Sequence, residues 1–334
     1  MPCSGLTLHT ADGKHLLART FDFPDSYGAQ LILIPRGYPI IPAGKTSLPP
    51  LKSQYAQAAM GVVTGKGSLL YIVDGVNEHG LGGADFYYPG YAFYSGVQPD
   101  RQALDPALAL QYMLAFCKNL DEVEDCFRNR IALTPAPSEI IDIVPPLHYF
   151  FADVSGEAMV VEPDVDGIKV YRNTVGVLTN VPGYPWQETN LRNHLSINPF
   201  PHKPLQMGSR LIEPLSLNSG TWGLPGDYTS TSRFVRAAYL KQFITEPKNE
   251  EEGVTAAMHI LSSLEVPRGV VRNGEGEAGH TVYSTVLVLD SRVYYFHHYD
   301  NRRIEALSLM KENLDGSGLK CWKWTERQDI RHLN

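Results

Sequence analysis

Cys3, Arg19 and Asp22 are the residues from which a reaction is most readily built. A nucleophile this near the chain start can use its own α-amino group as general base once the preceding residues are removed. Free α-amino groups titrate at about 7.7–8.0, so no separate histidine is needed. A thiol titrates near ~8.5 and is a strong nucleophile, so a modest shift suffices. Position alone favours a frayed end without a role; the hairpin and the segments below reverse that. The segment Arg19-Thr20-Phe21-Asp22-Phe23 sets two charges on what reads as a half-buried strand, and buried charges need partners. Two readings fit: Arg19 and Asp22 form a structural ion pair, or Asp22 accepts from the Cys3 ammonium while Arg19 lowers the thiol pKa.

An N-terminal hairpin must bring these residues together. Leu6-Thr7-Leu8-His9-Thr10 alternates, Asp12-Gly13 signals a type I′ turn, and His15-Leu16-Leu17-Ala18 returns. With Asp12 and Gly13 as the two loop residues, Ala11 faces Lys14 and Cys3 faces Asp22. Positions 19 and 22 have opposite parity, so both reach Cys3 only if a bulge or the strand end lies between them. Further strands are predicted at 31–34, 58–63, 69–74, 147–152, 158–162, 169–172 and 176–179, with two final strands at 281–289 and 292–298. Helices are predicted from the Asp105-Pro106 start to Cys117, at 120–128, from a Thr231 or Ser232 cap to Phe243, and at 253–264. Strands in runs, broken by helix pairs, indicate an α+β layered fold. Without a Gly/Ser linker or repeat, residues 1–334 read as one domain.

Composition narrows the class. The 334 residues carry 29 Lys and Arg against 36 Asp and Glu, a net charge of −7, with 43% hydrophobic and 19% charged residues. These are globular values, not those of a disordered chain. No apolar run is long enough for a membrane helix, and the start has no basic stretch leading into an apolar core, so neither span nor secretory leader is expected. A mildly acidic chain is poorly suited to nucleic acid, whose phosphates need neutralising. Cys3, Cys117, Cys126 and Cys321 lie too far apart for a disulfide scaffold or paired zinc ligands. The expectation is a soluble, cytoplasmic, reduced protein without metal or cofactor. His297-His298 with Asp300 suggests no metal site, because neighbouring strand residues point to opposite faces. Gly274 to Gly279 reads as a flexible loop, and Cys117 and Cys126 as small core residues.

Several segments together resemble the choloylglycine hydrolase family of N-terminal-nucleophile hydrolases, which holds penicillin V acylases and conjugated bile salt hydrolases. They are Cys3, Leu17-Ala18-Arg19-Thr20-Phe21-Asp22, Asp74-Gly75-Val76-Asn77-Glu78-His79-Gly80-Leu81, Leu178-Thr179-Asn180, Leu224 to Thr229 leading into Ser232-Arg233-Phe234, and Tyr295 to Asp300. The resemblance runs essentially end to end and implies a four-layer αββα sandwich. It implies Cys3 as nucleophile with its amine as base, and Arg19 and Asp22 as the pair setting thiol and amine protonation. Asn180 is implied as oxyanion donor, and Arg233 as a catalytic-site arginine. A neutral amide donor suits a tetrahedral oxyanion because it needs no deprotonation. Tyr87 stands where bile salt hydrolases carry Asn and penicillin V acylases carry Tyr. It would give its backbone N–H to the oxyanion and a flat wall to a phenoxy group.

The resemblance therefore implies a small-molecule amide substrate. Penicillin V, cleaved to phenoxyacetate and 6-aminopenicillanate, is the leading expectation. Conjugated bile salts or N-acyl homoserine lactones are the alternatives. Residues 182–204, with Tyr184, Trp186 and Phe200, resemble the family's loop used in tetramer assembly, which implies a homotetramer; a surface loop covering the site is the other reading. One departure stands out: Pro2 separates Met1 from Cys3. Removal of Met1 alone leaves the nitrogen capped, so Cys3 must attack the Pro2 carbonyl or another peptidase must act. An unprocessed chain would be an inert ligand-binding relative.

Overall fold

The structure, a computed structural model, describes residues 3–40, 51–63, 70–135, 143–216, 220–325 and 327–334. The expected removal of Met1-Pro2 and the expected strand start at Leu69 fall outside the described residues. Strand β1 (Cys3–His9) is buried on both faces except at its last residue, and β2 (His15–Phe23) is nearly as covered. Strands shielded on both faces lie between layers.

The β1–β2 register differs from the expected one by one residue. His9 pairs with His15 and Cys3 with Phe21, not with Asp22. The loop holds three residues, Ala11-Asp12-Gly13, with Gly13 at φ +80°, so a longer turn with a left-handed glycine replaces the two-residue type I′ turn. A slip of one residue exchanges the faces. Cys3 thus shares its face with Arg19 and Phe21, while Asp22 joins Ser4 and Thr20 on the other. The β1–β2 pairing contains no bulge, so Arg19 and Asp22 approach Cys3 from opposite sides of the sheet.

Two sheets lie face to face. One runs Val177–Leu178, β1, β2, Ala278–Val288, Val293–His298, Asn301–Ser308, with Val271–Arg272 pairing beside Ala278–Val288. The other runs Gly167–Tyr171, Ala158–Asp164, Leu147–Ala152, Gly82–Tyr87, Leu70–Asn77, Gln57–Val63, Gln30–Ile34, Lys320–Trp322. Helix α1 (Pro106–Phe116) and the short α2 (Leu120–Asp125) lie on the second sheet's side, α1 packing directly on its central strands. Helices α4 (Ser230–Phe243) and α5 (Glu250–Leu264) cover the first, and α3 (Tyr184–Asn190) follows its edge strand. The fold is the α+β four-layer αββα sandwich.

Helix starts follow cap chemistry. The Asp105 carboxylate accepts from Ala107 N at 3.0 Å ahead of Pro106. Asn249 caps α5, whose first turn carries Glu250, Glu251 and Glu252 against the positive helix end. Helix α4 begins earlier than expected, because Thr229 rather than Thr231 or Ser232 is its cap. Beyond Asp125 the helix widens into a π turn over Cys126–Arg130. Cys117 and Cys126 are buried in the core under α1, as the sequence suggests. Strands continue past the two taken as final, with Asn301–Ser308 and Lys320–Trp322. Gly274 to Gly279 is not a loose loop: Asn273 N donates to Glu277 O, closing a hairpin.

Between the sheets, Gly5 allows close contact. A Cβ there would lie 2.7 Å from Phe86 Cζ and 3.3 Å from Phe150 Cδ1. The bare backbone lets Phe86 fill the interlayer space beside Arg19, whose guanidinium sits 4.8 Å from the Phe86 ring centroid.

Candidate active site

Cys3 begins β1 at the end of the sandwich, 2% exposed. On the interlayer face, Arg19 Nη2 donates to Cys3 Sγ at 3.3 Å. Arg19 is itself fixed: Nη1 donates to Val73 O at 2.7 Å and lies 3.6 Å from Asp74 Oδ2. The hydroxyls of Tyr283 and Tyr294 both donate to Asp74, one to each oxygen. Burial pushes the Cys3 thiol above its ordinary range and Arg19 pulls it back; the Asp22 charge raises it further, against a smaller lowering by the Asp22 backbone hydrogen bond. The thiol at rest is therefore protonated and waits for a base.

The other face carries the second charge pair. Asp22 accepts from Thr281 Oγ1, and from Thr20 Oγ1 at 3.1 Å. Burial raises its carboxyl to about 6, with Arg233 the largest opposing influence. Arg233 sits in the first turn of α4 and is fully buried. It donates to Cys3 O, to Ser4 Oγ at 2.6 Å, and through Nη2 to Asn180 Oδ1 at 2.7 Å. Its own pKa is lowered to about 10 by burial, against the pull of Asp22 and Cys3.

Asn180 joins the two sheets. Its Oδ1 accepts from both Cys3 N, at 2.8 Å, and Arg233, which leaves Nδ2 to donate to Tyr87 O at 2.8 Å. Two donors on one oxygen fix the amide's orientation. The segment is held from behind: Asn180 N donates to Ser230 Oγ at 3.0 Å, and His148 contacts Thr179 O at 3.0 Å. In the Gly82–Tyr87 strand, Tyr88 N donates to Pro146 O. Strand alternation therefore turns the N–H and C=O of Tyr87 the other way, toward Asn180.

An apolar cavity of about 820 Å³, open mouth included, reaches the thiol. Phe21, Phe23, Tyr27, Val73 and Tyr87 wall it, with Cys3 and Arg19 at its inner end. All six site residues expected from sequence gather around Cys3: Cys3, Arg19 and Tyr87 line the cavity, Asn180 accepts from Cys3 N, and Asp22 and Arg233 stand on the helix side. Sequence reasoning gave no role to Asp74, Tyr283 and Tyr294. The signal was present as a carboxylate in a strand, with two tyrosines on the antiparallel pair facing it. His297 and His298 turn opposite ways, to Glu265 Oε1 at 3.1 Å and Thr325 O at 2.7 Å.

A thiol near the chain start, set between a guanidinium and a sheet-bridging amide in an αββα sandwich, has the architecture of an amide hydrolase of the N-terminal-nucleophile class. Residues 3–322 match the linear amide C–N hydrolases, choloylglycine hydrolase family, and the chain belongs to that family. It is thus an enzyme acting on linear amides. The chain is 31% identical over 333 residues to the bile salt hydrolase/transferase of Clostridium perfringens, covering 99% of this chain and 100% of that one. It is 30% identical over 321 residues to the conjugated bile acid hydrolase of Lactobacillus acidophilus, covering 95% and 99%. A solved variant of the C. perfringens conjugated bile acid hydrolase superposes with TM-score 0.90 at 30% identity, over 99% and 100% of the chains. Penicillin V acylase from Agrobacterium tumefaciens superposes with TM-score 0.76 at 20% identity, over 96% and 90%, and shares the fold. The higher identities thus go to bile salt hydrolases, against the expectation drawn from Tyr87. No helix among the described residues is long and apolar enough to cross a membrane.

Proposed function

We propose that the chain hydrolyses the amide bond of conjugated bile salts, releasing the steroid acid and its amino acid. The observation that carries this is an apolar cavity opening onto the Cys3 thiol, in a chain whose roughly one-third-identical relatives are named for that activity. Once its nitrogen is freed, Cys3 holds a base beside its own sulfur, and Asn180 Oδ1 keeps that nitrogen in place. The amine takes the thiol proton, and the thiolate attacks the amide carbon. The C–N bond then breaks as the ammonium returns its proton to the leaving amine. Water, activated by the same amine, cleaves the thioester and regenerates the thiol.

Arg19 stabilises the thiolate. Asn180 Nδ2 and the Tyr87 N–H receive the oxyanion, each such donor being worth ~3–4 kcal/mol. Arg233 and Asp22 hold the nitrogen, Asn180 and each other in register. The test is turnover of glycocholate, followed by glycine release, with intact mass recorded on the same sample. Turnover with mass beginning at Cys3, abolished in Cys3→Ala, supports the proposal. Turnover by a chain that retains Pro2 overturns the mechanism, and absence of turnover by a processed chain overturns the substrate.

A second reading, penicillin V, is favoured by the aromatic wall. Phe21 and Phe23 stack at 5.3 Å, and Tyr87 meets Phe23 edge-on at 6.5 Å, a setting for a phenoxy ring. Release of 6-aminopenicillanate faster than glycine from glycocholate selects it. We also propose a homotetramer, supported by apolar groups exposed on and after the 182–204 segment, among them Trp186, Phe200, Leu205 and Met207. A monomeric mass by light scattering overturns that. The free thiols suit a reducing, cytoplasmic setting.

A further inference from the structure

The cavity contains a carboxyl group that neither nucleophilic attack nor oxyanion stabilisation uses. In the second sheet, the Leu70–Asn77 and Gly82–Tyr87 strands pair only as far as Asp74 opposite Ala84. At that point Leu70–Asn77 also shifts register against Gln57–Val63, between Met60 and Gly61. The strands part there, and the cavity occupies the gap: Tyr71, Ile72 and Val73 line one side, Asp85 and Tyr87 the other. Asp85 is the first residue past the last pair, two positions or roughly 7 Å along the strand from Tyr87. It is 7% exposed. Among the described residues its carboxyl group has no hydrogen-bond partner and no ion pair, while its backbone pairs in the sheet opposite Tyr149. Ala107, Pro145 and Leu147 also line the cavity, and the polar groups whose fields Asp85 shares are Arg19, Asp74, Tyr94 and Tyr149.

A buried carboxyl without a partner is costly unless something supplies a donor. Arg19 is the nearest cation, but it is committed to Cys3, Val73 and Asp74. We propose that Asp85 is a specificity residue that hydrogen-bonds a hydroxyl carried by the acyl group of the substrate, so that the pocket selects hydroxylated over deoxygenated acyl groups. This rests on the amide-hydrolase reading and names a feature of its substrate. Burial raises the Asp85 carboxyl to about 7, opposed by Arg19 and reinforced by Asp74. Around neutral pH it is thus present in both forms, and a hydroxyl can serve either, as donor to the carboxylate or as partner of the acid.

The test measures binding apart from turnover. In a Cys3→Ala background, calorimetry compares cholic acid, which carries hydroxyls, with cholanic acid, which carries none. The same comparison is made for para-hydroxyphenoxyacetate and phenoxyacetate. The expected result is a preference of about 10-fold or more for the hydroxylated acid in at least one series. Asp85→Leu brings that ratio close to one, and Asp85→Asn, which keeps hydrogen-bonding capacity, retains part of it. Equal affinities in both series, or a ratio unmoved by Asp85→Leu, overturn the proposal. Should Asp85→Leu fail to fold by thermal melt, the Asp85→Asn ratio decides: unchanged overturns, reduced supports. A binding preference without hydrolysis of glycocholate overturns the bile salt reading while leaving the role of Asp85 standing.

Discussion

Replacing Asp22 with asparagine separates the cost of burying a charge from its use. The carboxyl is wholly buried, with a folded pKa of about 6 against 3.8 for an unperturbed aspartate. A raised carboxylate pKa means that the folded state binds the proton more tightly. The stability associated with Asp22 is therefore complete below about 3.8 and is lost as pH rises through about 6. A gap of about two pH units at ~1.36 kcal/mol each gives about 3 kcal/mol. With ~2.1 cal/mol/K of unfolding entropy per residue over 334 residues, about 0.7 kcal/mol/K, this is about 4 °C in Tm.

Asparagine keeps an oxygen for the Thr281 hydroxyl, and the Thr20 hydroxyl can turn to accept instead. Removing the charge also deprives Arg233 of its largest favourable partner. At pH 4 the parent's Asp22 is already neutral, so that loss is felt only at pH 8, and the attraction is already contained in the folded pKa of about 6. The expected outcome in scanning calorimetry is that the Tm of Asp22→Asn, relative to the parent, rises by about 4 °C between pH 4 and pH 8. Amide hydrolysis falls by on the order of 10²-fold in the same variant. A relative Tm that is flat, or that declines with pH, refutes the electrostatic account of this residue.

Other perturbations separate the remaining roles. Arg19→Gln removes the cation 3.3 Å from Cys3 Sγ, so alkylation by iodoacetamide at pH 8 is expected to slow by ~10-fold; an unaltered rate denies that Arg19 supports the thiolate. Asn180→Ala is expected to lower kcat by on the order of 10²–10³-fold, and an effect confined to KM removes Asn180 from oxyanion stabilisation. Gly5→Ala drives a methyl against Phe86 and Phe150 and is expected to cost ~1–3 kcal/mol in urea unfolding. A neutral Gly5→Ala shows that the interlayer space has slack.

How much of this was legible in the sequence depends on where the information resides. Cys3, Arg19 and Asp22 could be singled out because a thiol near the chain start and charges in an apolar strand are chemically conspicuous. Their relative orientation could not, because Asp12-Gly13 serves two-residue and three-residue loops alike, and one residue exchanges the faces. The Gly82–Tyr87 strand escaped because Gly82, Gly83 and Ala84 are weak strand formers. Their smallness is imposed from outside: a Cβ at Gly83 would lie 2.7 Å from side-chain atoms of Leu110 and Phe151. Asn301–Ser308 escaped because it is an edge strand carrying Arg302, Arg303 and Glu305, so apolar alternation is missing. Asp74 stood in a recognisable motif, yet its function depends on Tyr283 and Tyr294, more than 200 residues away. Asp85 drew no reading from the sequence, because its strand was missed and its place in the cavity depends on the parting of two strands.

The amide of Asn180 ties the edge of one sheet to Tyr87 in the other. Prising the layers apart at this end would therefore dismantle the pair of donors proposed for the oxyanion before any substrate arrived. Ligands must enter by the cavity mouth, along a sandwich that stays shut. Mutations that loosen this seam should damage turnover at a temperature well short of unfolding.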